Sequence, residues 1–357
     1  MTKELVPPGP LSPGRFKAVP RRSVRVSDES LVRTGFLPGL DGMPLLIEPA
    51  PGGGDLIGWA AAHRDLLEQQ LGRHGALLFR GFPLEAAEDL ERLVAASFGG
   101  SLEYTERSSP RSQVSGKIYT STDYPPEMPI FLHNEQSYNR VFPLRILFFC
   151  LLPAEHGGAT PIADVRKVYQ RIDPGVRRRF AREGYLYVRN FGDGFGLSWQ
   201  EAFGSADPAA VERYCRENGI VAEWKDKGRL RTRQLRRAVG LHPRTGEPVW
   251  FNHLTFFHVS TLEPRVRAAL AAELAEEDMP NNTFHADGSP IEPDAMDHLR
   301  AAYHAETLAF PWQRGDVLML DNMLTAHARQ SFSGPRKIVV AMAQPFCWDD
   351  VPAGGVE

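Results

Sequence analysis

This chain is poor in the features that mark secreted, membrane and nucleic-acid-binding proteins. It has three cysteines, Cys150, Cys215 and Cys347. They are odd in number, far apart and form no Cys-x-x-Cys pair. That excludes a disulfide framework or a cysteine zinc site and fits reduced thiols in a cytoplasm. Long apolar runs are missing too. Ile146–Leu152 is the longest, well short of the ~20 residues of a membrane helix. The N-terminus, MTKELVPPGPLSPGRFKAVPRR, carries prolines and charges where a signal peptide needs an apolar segment. Basic excess is absent: the formal net charge is −3, and no basic–aromatic platform offers itself to nucleic acid. The expectation is a cytoplasmic protein that engages neither membrane nor nucleic acid. Residues 1–35 read as a Pro-rich tail and residues 36–350 as one domain.

What is present reads as sheet with helices packed on it. Leu56–Leu71 has the apolar spacing of an amphipathic helix ended by Gly72, and Leu84–Phe98 reads as a second. Gly75–Gly81 is a short apolar strand between them. Ile146–Leu152 is apolar without alternation, as suits a strand covered on both faces. Tyr185–Phe191, Ile220–Trp224, Val249–Phe251, Val317–Asp321 and Lys337–Ala343 complete the strands. Helical patterns and turns dominate about 195–300, so the expected architecture is α+β: a sheet core with a helical insertion there.

Chemistry concentrates in FLHNEQSY, residues 131–138. His133 and Glu135 lie two apart, and on an extended strand such side chains share a face and can grip one metal ion. His-x-acid also occurs at His63/Asp65, His285/Asp287 and His304/Glu306. The first lies within a predicted helix, where these positions diverge. The second lies in a turn cluster, and the third follows a helical pattern. Only His133/Glu135 sits between extended apolar segments. A 2-His-1-carboxylate site needs another histidine, and His327 follows a buried strand. Three facial ligands leave three positions open on non-haem Fe(II). Arg336, nine residues further on, enters a strand, and an arginine there can hold a carboxylate bidentately.

Four stretches, FLHNEQSY, GGATPIAD, FPWQRGDVLMLDNMLTAHAR and SGPRKIVVAM, together resemble the Fe(II)/2-oxoglutarate dioxygenases of the taurine dioxygenase superfamily. The likeness is to its clavaminate-synthase-like and syringomycin-hydroxylase-like branch, which carries Glu in the first motif. The resemblance implies a double-stranded β-helix (jelly-roll) core with Fe(II), 2-oxoglutarate and O2 as cofactors. It implies His133, Glu135 and His327 as metal ligands, Thr160 as a 2-oxoglutarate contact and Arg336 as the salt-bridge partner of its distal carboxylate. Arg329 is the alternative to Arg336, and Lys337 a weaker one. Related halogenases replace the carboxylate ligand with a small residue, so Glu135 points to oxygen transfer. The implied reaction hydroxylates an unactivated C–H of an amino acid, free or tethered to a carrier protein. Desaturation and epoxidation use the same ligands, and a non-catalytic jelly-roll module is the alternative of another class. Candidate substrate contacts are Arg107, Arg111, Ser121, Thr122, Asn134, Gln136 and the segment Trp250-Phe251-Asn252-His253. His253 and His258 also read as packed core histidines. The arginine-dense segment Arg229–Arg237 reads as a solvated lid or as a docking surface for an acidic carrier.

Overall fold

The computed structural model describes residues 31–352 except 41, 104, 105, 107, 109, 110, 122, 123 and 193. The expected tail therefore lies almost wholly outside the described residues, as do Arg107 and Thr122.

Two sheets face each other. The major sheet has eight strands, and its centre is the Ala76–Phe79, Val317–Asp321, Val141–Leu152 and Lys337–Cys347 strands side by side. The minor sheet has four, ordered Thr307–Leu308, Ile162–Asp164, Thr325–Arg329, Ile130–His133. The absence of alternation along residues 146–152 now has its cause. Side chains of a strand alternate between faces, and both faces here are covered. Leu147, Phe149, Met319, Val339 and Ala341 pack outward with Leu67, Leu71, Leu90, Leu93 and Val94 of the N-terminal helices. Ile146, Phe148, Leu318, Leu320, Val340 and Met342 pack inward with Ile162 of the minor sheet.

The first helix of the sequence reading is two. Leu56–Ala62 and Arg64–His74 break at His63, whose φ of −122° is not helical. Gly75, at φ +71°, ends the second, so Gly72 is an interior residue. A left-handed terminus favours glycine because it has no Cβ.

The insertion differs from its expectation more. It contains helices, Pro208–Glu217, Pro264–Glu273 and Pro293–Ala305 among them, but also three strands that join Tyr185–Phe191 in a four-stranded antiparallel sheet. In that sheet Leu230–Arg236 lies between Tyr185–Phe191 and Ile220–Trp224, and Asn281–His285 flanks Tyr185–Phe191 on the other side. Most of the arginine-dense segment Arg229–Arg237 is thus an interior strand. Its arginines are occupied: Arg231 binds Asn190 and Asp278, Arg233 binds Glu223, and Arg236 donates to the Tyr138 carbonyl. No described helix is long and apolar enough to cross a membrane.

Buried beneath the Arg64–His74 helix is a polar hub. Arg145, 1% exposed, binds Asp321 and Glu68, and His242 Nε2 lies 3.1 Å from Asp321 Oδ2. Burial alone would raise the Asp321 pKa. The Arg145 charge and the His242 hydrogen bond outweigh it and hold the carboxyl at about 2, below its usual 3.8. A depressed carboxylate contributes stability above its unfolded pKa and loses it as pH falls through the folded one. Roughly 2 kcal/mol, the free energy of that shift, should therefore disappear between about pH 4 and pH 2. Urea denaturation of wild type and Asp321→Asn over that window is the check. The variant should be weaker at pH 7 and show a flatter acid limb.

Candidate active site

His133 ends the Ile130–His133 strand, and His327 lies in the neighbouring Thr325–Arg329 strand directly opposite it. Opposed residues of an antiparallel pair point to the same face. That face looks at the major sheet, because His327 is also opposite Ile162, which lies in the inter-sheet core. The two rings are 4.4 Å apart between centroids, and Phe148 of the major sheet covers His327 at 5.0 Å.

Glu135 does not reach its place as expected. The strand stops at His133, and Glu135 stands in the turn that follows, where Gln136 takes φ +53°. The turn aims the carboxylate, and Asn322 fixes the turn. Asn322 Oδ1 accepts from the Glu135 amide at 2.8 Å, its Nδ2 donates to the Glu135 and Pro143 carbonyls, and its own carbonyl accepts from Asn134 Nδ2. Asn322 was missed in the sequence because nothing local distinguishes it. Asn322→Ala would leave several buried backbone groups unpaired, at about 1–3 kcal/mol each. The expected result is a clear drop in melting temperature together with weaker metal binding, read by differential scanning fluorimetry with and without Mn(II).

Donor atoms of His133, Glu135 and His327 all lie within 4.8 Å of one another, and all three residues are buried. His133 Nδ1 is hydrogen-bonded to the Phe131 carbonyl at 2.8 Å, which turns Nε2 inward. Burial pushes His133 down, partly countered by Glu135. Burial, His133, Arg111 and His253 push His327 well down. Both imidazoles are therefore neutral at pH 7, the form that binds a metal. The set fits the 2-His-1-carboxylate arrangement for non-haem Fe(II).

A second cluster lies beside it. Arg336 donates Nε to the Gly158 carbonyl at 2.9 Å, Nη1 to Ser121 Oγ at 3.2 Å and Nη2 to Thr160 Oγ1 at 3.5 Å. Trp312 Nε1 donates to the same Thr160 oxygen at 3.1 Å, which leaves the hydroxyl proton to point elsewhere. Gly158 makes room: a Cβ there would come within 3.1 Å of Arg336 Cδ and Phe332 Cβ. Desolvation and the nearby Arg329 lower Arg336 to about 10, so it stays charged at neutral pH. A cation and a hydroxyl side by side suit a carboxylate. Arg329 is engaged otherwise, donating to the carbonyls of Tyr124, Pro125 and Met128. Lys337 is exposed at the strand start.

The other substrate candidates divide. Arg111 reaches the centre, with Nη2 at 2.5 Å from Glu135 Oε2, and Ser121 serves Arg336. Gln136 is buried in the turn beside Glu135. Asn134 is turned onto Asn322. Asn252 donates to the Ala238 carbonyl and accepts from the Leu254 amide, a local brace. His253 is a packed histidine, 2.6 Å from Ser137 Oγ and 5.5 Å from His133 between ring centroids. His258 bonds Ser260. None of the three other His-x-acid pairs joins a cluster of metal-ligating side chains among the described residues.

Facing sheets that enclose two neutral histidines, a carboxylate and an adjacent arginine–threonine pair define a jelly-roll non-haem iron oxygenase. Residues 44–342 match the taurine catabolism dioxygenase TauD, TfdA family, and the chain belongs to that family. It is an oxygenase whose cofactors are Fe(II), 2-oxoglutarate and O2. A dapdiamide synthesis protein, DdaC, from Enterobacter agglomerans is 42% identical over 279 residues, 78% of this chain and 85% of that one. A clavaminate synthase-like protein from Arabidopsis thaliana is 30% identical over 292 residues, 78% and 84% of the two chains. PvcB, described as an Fe, alpha-ketoglutarate dependent oxygenase from an isonitrile synthetic pathway, shares the fold, with a TM-score of 0.52 at 18% identity over 93% of this chain and 96% of that one. A structure of PvcB from Pseudomonas aeruginosa agrees, with a TM-score of 0.50 at 17% identity over 84% and 85%.

Proposed function

We propose that this oxygenase hydroxylates an unactivated C–H of an amino acid, or of an aminoacyl group on a carrier protein, in the biosynthesis of a specialised metabolite. The observation that carries the oxygen-transfer part is Glu135, a carboxylate buried between two neutral histidines. The biosynthetic setting rests on the likeness to DdaC, a dapdiamide synthesis protein.

His133, Glu135 and His327 would hold iron. When bound, it supplies O2 activation coupled to the oxidative decarboxylation of 2-oxoglutarate to succinate and CO2. The chain's own residues do the rest. Arg336 and Thr160 take the distal carboxylate, which could not be buried unpaired without a large penalty, and so set the co-substrate's direction. Phe148 over His327 and Phe256, 4.6 Å from His133 between ring centroids, line the centre with apolar surface and exclude water. Neutral imidazoles add no charge, so Glu135 alone offsets part of the metal's.

The test is anaerobic addition of Fe(II) and 2-oxoglutarate. A metal-to-ligand charge-transfer band should appear and shift when candidate amino acids or aminoacyl carriers are added, and aerobic product analysis then reads hydroxylation. An olefin or epoxide as main product would replace the hydroxylation reading while keeping the cofactor assignment.

A further inference from the structure

Arg111 is a buried cation in the heart of the site, yet it is neither one of the three metal-ligating side chains nor part of the Arg336–Thr160 pair. Its side chain is 4% exposed and that of Glu135 3%, and the two meet through Nη2 and Oε2 at 2.5 Å. The same Oε2 lies 3.8 Å from His327 Nε2, so it is the carboxylate oxygen closest to that imidazole nitrogen. Arg111 also stands at the foot of a hairpin. The next residue, Ser112, accepts the Thr120 amide at 2.8 Å, and its own amide donates to Thr120 Oγ1 at 2.9 Å. The residue after Thr120 is Ser121, which holds Arg336 Nη1. A single hairpin, 111–121, therefore touches the metal-binding carboxylate at one end and the 2-oxoglutarate arginine at the other.

We infer that Arg111 is a positioning residue that fixes the Glu135 carboxylate for one-oxygen coordination, and that the 111–121 hairpin ties this orientation to the 2-oxoglutarate clamp. A carboxylate free to swing can bind through both oxygens and so take up a coordination position the co-substrates need. A guanidinium held against it from the foot of a hydrogen-bonded hairpin prevents the swing. This rests on the ligand assignment proposed above.

The experiment is Mn(II) affinity, measured by competition in the full-length chain with and without 2-oxoglutarate, on wild type, Arg111→Gln and Arg111→Lys. Loss of a group that orients a metal ligand typically costs 10–100-fold in metal affinity, and about that loss is expected for Arg111→Gln. The tightening of Mn(II) by 2-oxoglutarate should shrink with it, and the anaerobic Fe(II)–2-oxoglutarate band should move. Lysine, which keeps the charge but not the fork, should restore part of the affinity. Folding is checked by circular dichroism, and Arg111→Lys stands in if the glutamine variant does not fold. Unchanged Mn(II) affinity in the folded variants, or tighter binding, would overturn the inference. If wild type itself bound no Mn(II), or bound it equally after His327→Ala, the ligand assignment would fall instead.

Discussion

Glu135→Gln is expected to lose substrate oxidation altogether and to bind Fe(II) or Mn(II) more than about 100-fold more weakly, exceeding the 10–100-fold typical of an outer-shell partner. Glutamine keeps the shape and an oxygen that can accept from Arg111, so the turn should survive. Only the anionic donor is removed. Both variants remove the anion that Arg111 pairs with, but alanine also removes the oxygen its Nη2 donates to, so Glu135→Ala should be as inactive and less stable than the glutamine variant by about 1–3 kcal/mol, the cost of a lost buried hydrogen-bond partner. The pair of variants separates chemistry from folding. Circular dichroism and urea denaturation should show both variants folded and the alanine variant the less stable, while 2-oxoglutarate consumption is absent from both. Full 2-oxoglutarate-dependent turnover in either variant would remove Glu135 from the metal site.

The second large effect concerns the two arginines. Arg336→Met should weaken 2-oxoglutarate by about 2–5 kcal/mol, the cost of truncating one partner of a buried charge pair, or roughly 30-fold to several-thousand-fold in affinity. Metal affinity without 2-oxoglutarate should hardly change, since Arg336 bonds Gly158, Ser121 and Thr160 and none of the three ligands. Arg329→Met should do the reverse. It removes the donors to three carbonyls of the 124–128 loop, lowering the melting temperature while leaving 2-oxoglutarate affinity within a few-fold. Titrations of the charge-transfer band against 2-oxoglutarate, beside thermal melts, distinguish the two. A larger 2-oxoglutarate defect in the Arg329 variant would reassign the clamp.

Much of this site could be read in one dimension because its parts obey local rules. His133 sits at the end of an apolar strand, His327 follows a second buried strand, and Arg336 immediately precedes a third. What stayed hidden was relational. Leu230–Arg236, with its three arginines, has the look of a solvated connection, and it is an interior strand because Asn190, Glu223 and Asp278 meet its charges from other segments. Asn134 and Asn252 were attractive as contacts because of their place beside motif residues, yet each turns to brace backbone. Asn322 showed the converse, an important position with no distinctive local pattern, and Arg111, read as a candidate substrate contact, lies against Glu135.

Residue types and strand periodicity indicated a sheet core with packed helices and the chemistry of the three donors, while the family and its jelly roll came from the resemblance of four motifs. They specify which atoms can bind a metal, because imidazole, carboxylate and guanidinium carry their chemistry wherever they lie. Convergence came only with tertiary structure. His133 and His327, 194 positions apart, share a face because one register of one strand pair sets them opposite, and a shift by one residue would turn either ring away. Glu135 joins them through a turn pinned from residue 322. Arg336 rather than Arg329 stands beside Thr160, because the carbonyls of the 124–128 loop already engage Arg329. Each of these depends on the position of a distant segment, and hydrogen bonds and packing across the fold determine it.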